Sequence, residues 1–230
     1  MIEETILQLE ELFEPFRNAK RAQTASAYLR DQFPFIGMKT EIRRAAQKSW
    51  IDSLKIIEDK NPDSYREKWL IIRALWEKEE RDYQHTAIDL LNSMPKKFYS
   101  EDDALELEWL LNNKSWWDSV DSIASNYLGK WALLFPEKAR ETFEKWRYHE
   151  SFWLQRSCLI YQLKYKDKVD SVYLEDLIRQ MNSNQEFFIQ KAIGWSLRQL
   201  SKYNPQEVTR ILGNNPIKGL ALREASKYLD

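Results

Sequence analysis

Tyr83-Gln84-His85-Thr86-Ala87-Ile88, Leu154-Gln155-Arg156-Ser157-Cys158-Leu159 and Ile189-Gln190-Lys191-Ala192-Ile193-Gly194 are three versions of one pattern. Gln84 and Gln155 lie 71 residues apart, and Gln155 and Gln190 lie 35 apart. Leu222-Arg223-Glu224-Ala225 follows the last of them by 33, and Ser119-Val120-Asp121 fills the gap between the first two. A period near 35 fits a two-helix repeat of HEAT type. Such a pair cannot bury its apolar face alone, so pairs stack into a solenoid. The fold class read from this pattern is all-α: a superhelix of HEAT-like repeats, curved, with a concave face. Residues 1–230 read as a single domain, because no linker interrupts the chain.

The rest of the chain agrees. Apolar residues recur at helical spacing near 2–13, 19–33, 39–48, 50–59, 63–77, 81–93, 101–113, 116–133, 136–147, 151–164, 169–181, 186–202, 205–213 and 217–229. Pro62, Pro95, Pro136, Pro205 and Pro216 mark breaks, and Pro136 and Pro205 are placed to open helices. Five glycines in 230 residues are too few for a turn-rich β protein. The N-terminal stretch is acidic and amphipathic, with no basic leader or long apolar run, so the cytoplasm is the expected compartment. A solenoid of this size needs no partner to close its core, and a monomer is expected.

A fixed period also has a chemical consequence. Residues one period apart occupy equivalent places on successive helices and form rows. Asp121, Arg156 and Lys191 are each separated by 35, and so are Trp117, Phe152 and Phe187. Each aromatic stands four before its polar partner, hence on the same helix face. Trp195, four after Lys191, extends that face. A core would not hold Asp, Arg and Lys in one line unless they paired. Beside them, Ser115 reads as an N-cap with Asp118 three residues on, and Trp116 as core.

Several chemistries lack their residues. Cys158 is the one cysteine, which excludes an internal disulfide and a multi-cysteine metal site; it reads as a buried, inert thiol. His85 and His149 stand 64 apart, with no zinc-binding spacing, and no phosphate-cradling glycine loop is present. Carboxylate chemistry remains. Arg156, Lys191, Arg198, Lys39, Arg43 and Arg44, set among aromatics, are candidates to grip a nucleic-acid backbone. The net charge of −1 counts modestly against that partner, although a two-faced array can segregate its charges.

Four stretches carry a family resemblance. Phe35-Ile36-Gly37-Met38-Lys39-Thr40-Glu41-Ile42-Arg43-Arg44, Lys114-Ser115-Trp116-Trp117-Asp118-Ser119-Val120-Asp121, Phe152-Trp153-Leu154-Gln155-Arg156 and Glu186-Phe187-Phe188-Ile189-Gln190-Lys191-Ala192-Ile193-Gly194-Trp195 resemble the AlkD-like DNA alkylation repair glycosylases. The resemblance runs from about residue 20 to the C-terminus. It implies a basic concave face that cups duplex DNA, and excision of N3- and N7-alkylated purines without a cofactor or metal. It places the catalytic carboxylate on Asp121, the two sugar-contacting tryptophans on Trp117 and Trp195, the backbone-binding arginine on Arg156 and a DNA-contacting tyrosine on Tyr28. Two other functions are compatible with the repeats: a protein-binding scaffold, and a damage sensor that binds without excising.

Overall fold

Helix α1 (Ile2–Phe13) opens the chain and turns Ile6, Leu9 and Phe13 inward at i, i+3 and i+7. The structure is a computed structural model that describes residues 2–60 and 64–229, and among them every regular element is helical. The expected break at Pro62 lies outside the described residues. Two compact units form, one up to Tyr99 and one from Ser100 onward. No membrane-spanning helix occurs among the described residues.

In the first unit, α1 is followed by α2 (Ala19–Tyr28), α3 (Thr40–Lys60), α4 (Ser64–Glu77) and α5 (Arg81–Ser93). α1 packs on α3 and α4, and α5 packs on α3 and α4. Where the sequence reads as two helices, 39–48 and 50–59, a single α3 runs through. No Gly or Pro interrupts it, and Arg43, Gln47, Trp50, Ile51 and Leu54 keep one buried face. Trp50 fixes the former break point by donating its indole N–H to the Thr5 carbonyl at 2.8 Å. α2 is shorter than the expected 19–33. It closes with Arg30 and Asp31 in the left-handed region (φ 58° and 56°) and a bond from the Asp31 amide to the Ser26 carbonyl at 2.8 Å. Phe33, which precedes Pro34, is sterically turned from the helical region, so the helix cannot resume there.

The second unit runs α6 (Asp103–Asn112), α7 (Trp117–Ile123), a π turn (Ala124–Leu128), α8 (Gly129–Leu134), α9 (Pro136–Trp146), α10 (Phe152–Ile160), α11 (Ser171–Met181), α12 (Phe187–Ser201), α13 (Pro205–Asn214) and α14 (Gly219–Ala225). Pro136 and Pro205 open α9 and α13 as the sequence implies. The stretch expected as one helix over 116–133 is α7 and α8 joined through the π turn. α10 packs on α12, α7 and α9, and α12 packs on α14 and α13.

The recurring glutamine now has a physical reason. Gln84 donates to the carbonyls of Trp76 (3.0 Å) and Lys78 (2.6 Å). Gln155 donates to His149 (2.7 Å), and Gln190 to Asn182 (3.1 Å) and Asn184 (2.7 Å). Each glutamine therefore clips the turn that leads into its own helix, satisfying carbonyls a preceding helix end leaves open.

Gly194 sets how closely α12 approaches α14. A Cβ there would stand 2.5 Å from the Glu224 Cβ and 2.8 Å from the Ala221 carbonyl oxygen. Backbone cannot yield as a side-chain tip can, so Gly194→Ala is expected to lower stability by about 1–3 kcal/mol, the range for overpacking. The midpoint of urea unfolding checks this; an unmoved midpoint would show that the two helices can part.

Candidate active site

Asp121 lies on α7, one helical turn after Trp117. Opposite it on α10 stands Arg156, whose Nε donates to Oδ1 at 2.7 Å and whose Nη2 donates to Oδ2 at 2.8 Å. This is the two-pronged pairing that a planar guanidinium makes with a carboxylate. The third prong, Nη1, donates to the Phe188 carbonyl in the first turn of α12. Three successive repeat helices thus meet through one side chain. Arg156 is 2% exposed, while the Asp121 side chain is 17% exposed and so keeps an outlet to solvent. Burial pushes the Asp121 carboxyl up from the ordinary value, and Arg156 pulls against that rise.

The aromatics beside this pair, with the Phe188 ring 5.9 Å from the Arg156 guanidinium, cluster in a different pattern from the one the spacing implies. Phe188 stacks on Phe152 (centroids 6.1 Å apart, planes 3° apart) and meets Trp116 edge-on at 5.4 Å. Trp153 packs against Trp116 at 5.7 Å and Phe188 at 4.8 Å. Phe187 touches Phe188 and is otherwise half exposed. Trp116, read as core, is a partly buried member of this cluster. Trp117 and Trp195 are also partly buried, neither sealed in the interior. Ser115 is not the N-cap: Trp116 holds that position and Ser115 bonds back to the Leu111 carbonyl. A residue that follows the previous helix so closely still finds one of its open carbonyls.

Lys191 and Arg198 flank Trp195 on α12, and both reach Glu224 on α14. The Lys191 ammonium lies 2.9 Å from Glu224, and Lys227 adds a third cation at 3.0 Å. Their donors, Lys191 first, pull the Glu224 carboxyl down to about 2. Three cations around one carboxylate leave a local excess of positive charge.

In the first unit the basic candidates separate. Arg43 is 4% exposed, and its guanidinium is spent on Gln47 (2.9 Å), Thr86 (3.2 Å) and Asp89 (2.9 Å). The expectation that Arg43 faces a ligand is corrected: it braces α3 against α5. Arg44 also pairs with Asp89, at 3.2 Å, with 62% of its side chain exposed. Lys39 and Tyr28 stand at the surface. Arg156 is likewise engaged: each of its three guanidinium nitrogens already donates within the protein. Its observed work is to hold Asp121. No spacing argument could have found Asp89 or Glu224 as partners of Arg43, Arg44, Lys191 and Arg198, from which they lie 26 to 46 residues away in sequence. Cys158 is fully buried, and burial raises its thiol well above the usual range, the setting of an unreactive side chain.

A repeat array of helices with a carboxylate–guanidinium pair locked across three of them defines a helical-repeat protein with a built polar site. The family model described as DNA alkylation repair enzyme matches residues 9–229. Among solved structures, the chain is similar to a protein described as a predicted DNA alkylation repair enzyme from Enterococcus faecalis, at 35% identity and a TM-score of 0.82. That match covers 93% of this chain and 96% of the other. No curated protein matches it in sequence. The chain belongs to the DNA alkylation repair enzyme family, the AlkD-like group.

Proposed function

We propose that the protein is a monofunctional DNA glycosylase, acting as a monomer, that removes N3- and N7-alkylated purines from duplex DNA and leaves an abasic site. The observation that carries this reading is the Asp121 carboxylate, clamped by Arg156 and still open to solvent one turn from Trp117. Alkylation at N3 or N7 places a positive charge on the purine, so the base leaves without a general acid. The deoxyribose turns cationic as the glycosidic bond breaks. A preorganised carboxylate stabilises that charge and orients the incoming water. Trp117 and Trp195 pack on the sugar and add the attraction of their ring faces for a cation. Lys191 and Arg198 meet phosphates, with Glu224 fixing their positions. No lysine is assigned as nucleophile, so the strand stays uncut.

Incubation with methylated duplex DNA tests the reading: free methylated purines, in total, and abasic sites are expected in equal amounts. Binding without release would make the protein a damage sensor. Neither binding nor release would leave a protein-binding scaffold.

A further inference from the structure

Counterion release, the main source of affinity for DNA, is largest for cations that no carboxylate already partly neutralises. Arg43, Arg44, Arg156, Lys191 and Arg198 all face carboxylates. The cations of α2 and of the turn that closes it do not. Lys20, Arg21 and Arg30 are exposed, and among the described residues their own side chains make no ion pair or hydrogen bond. From Arg17 to Arg30 the sequence holds four cations and no acid, in a chain whose net charge is −1; of the four, only Arg17 is paired, with Glu14 and Glu80.

α2 is also unusual as a helix. None of its ten residues is buried. A helix this short is marginal in water unless packing supports it. It is held instead at its two ends. Asn18 caps the start, its side chain accepting from the Arg21 amide at 3.0 Å while its own amide donates to the Ile36 carbonyl at 3.0 Å. Gly37, with φ 91°, seats that end: a Cβ would come within 2.3 Å of the Asn18 carbonyl oxygen. Leu29 is buried at the other end, where Arg30 and Asp31 adopt the left-handed backbone. Two consecutive non-glycine residues in that region carry a backbone cost that the surrounding contacts must offset. The chain thus holds in place an element that adds almost nothing to the core. Its outward side repeats Lys20, Thr24 and Tyr28 at i, i+4 and i+8, and Tyr28 is 72% exposed.

We infer that α2 and the turn that closes it dock on the sugar–phosphate backbone of duplex DNA, meeting it with Lys20 and Arg21 of the helix and Arg30 of the turn beside the ring of Tyr28. Charge complementarity selects this occupant, and the inference rests on the proposal that duplex DNA is the partner. Ten residues span about 15 Å, enough to follow several phosphates of one strand.

The test uses unmodified duplex DNA, so it does not depend on excision. Affinity is measured across salt concentrations for the natural protein, for Lys20→Ala/Arg21→Ala/Arg30→Ala, and for the charge-conserving Lys20→Arg/Arg21→Lys/Arg30→Lys. Each lost phosphate contact removes about 0.9 from the slope of log affinity against log salt. The alanine variant is expected to lose about 2–3 in slope, and the charge-conserving variant to lose none. Hydrogen exchange of the α2 amides is expected to slow when duplex is added. An unchanged slope in the alanine variant, or α2 exchange indifferent to DNA, overturns the inference alone. A natural protein that binds no duplex overturns the proposed function and this inference together.

Discussion

Asp121→Asn is expected to slow release of 7-methylguanine by about 10²–10³, the usual cost of one preorganised electrostatic group, while duplex binding persists. The amide keeps the shape and one acceptor for Arg156 but carries no charge for the developing oxocarbenium ion. Single-turnover release from methylated duplex measures the loss, with affinity for unmodified duplex as the control. Undiminished release would remove Asp121 from the chemistry. The natural enzyme carries a companion signature. The carboxylate must be ionised to work, and ionisation holds only above its pKa. Burial raises that value, so excision should fade on acidification at a pH above the ordinary aspartate value of about 3.9. An acid limb at or below that value would show that the carboxylate is not desolvated in the working enzyme.

Arg156→Ala is expected to be the more damaging change for the fold. Removing one member of a buried pair leaves the other charge uncompensated, at a cost of about 3–5 kcal/mol. Here it also releases the Phe188 carbonyl. Denaturant unfolding should show that loss, and excision should fall with it because Asp121 loses its clamp. Arg156→Lys separates the two effects: a single ammonium restores charge but not the two-pronged geometry. Stability should recover more than excision does. A variant in which both recover fully would mean that charge alone suffices.

The repeat architecture was legible because its signals are local. Helical spacing, Pro136 and Pro205 at helix starts, and glutamines 35 residues apart all survive without knowledge of tertiary contacts. The row joining Asp121, Arg156 and Lys191 was equally legible, since period fixes position. What each member touches was not. A side chain's partner depends on depth and rotamer, and a guanidinium reads the same in sequence whether it meets phosphate or Asp89. That is why Arg43 and Arg156 read as ligand contacts, while Lys20, Arg21 and Arg30, standing outside the repeat, drew no notice. The Trp50–Thr5 bond, which anchors α3 just beyond Ser49, was hidden because it joins residues 45 apart.

The π turn at Ala124–Leu128 constrains how this chain can vary in length. Asp121, which must look toward Arg156, precedes it; Tyr127 within it and Trp131 beyond it bond to Asp103 (2.8 Å) and the Ser100 carbonyl (2.7 Å). Each residue added to or removed from a helix rotates everything beyond it by about 100°. Unless the turn tightened to the α ladder, loss of one residue from this stretch would swing either the carboxylate off its clamp or the two aromatic anchors out of theirs. Drift in length should therefore be tolerated in the surface connections and forbidden here, so that the spacing from Asp121 to Trp131 works as a gauge block for the whole polar row.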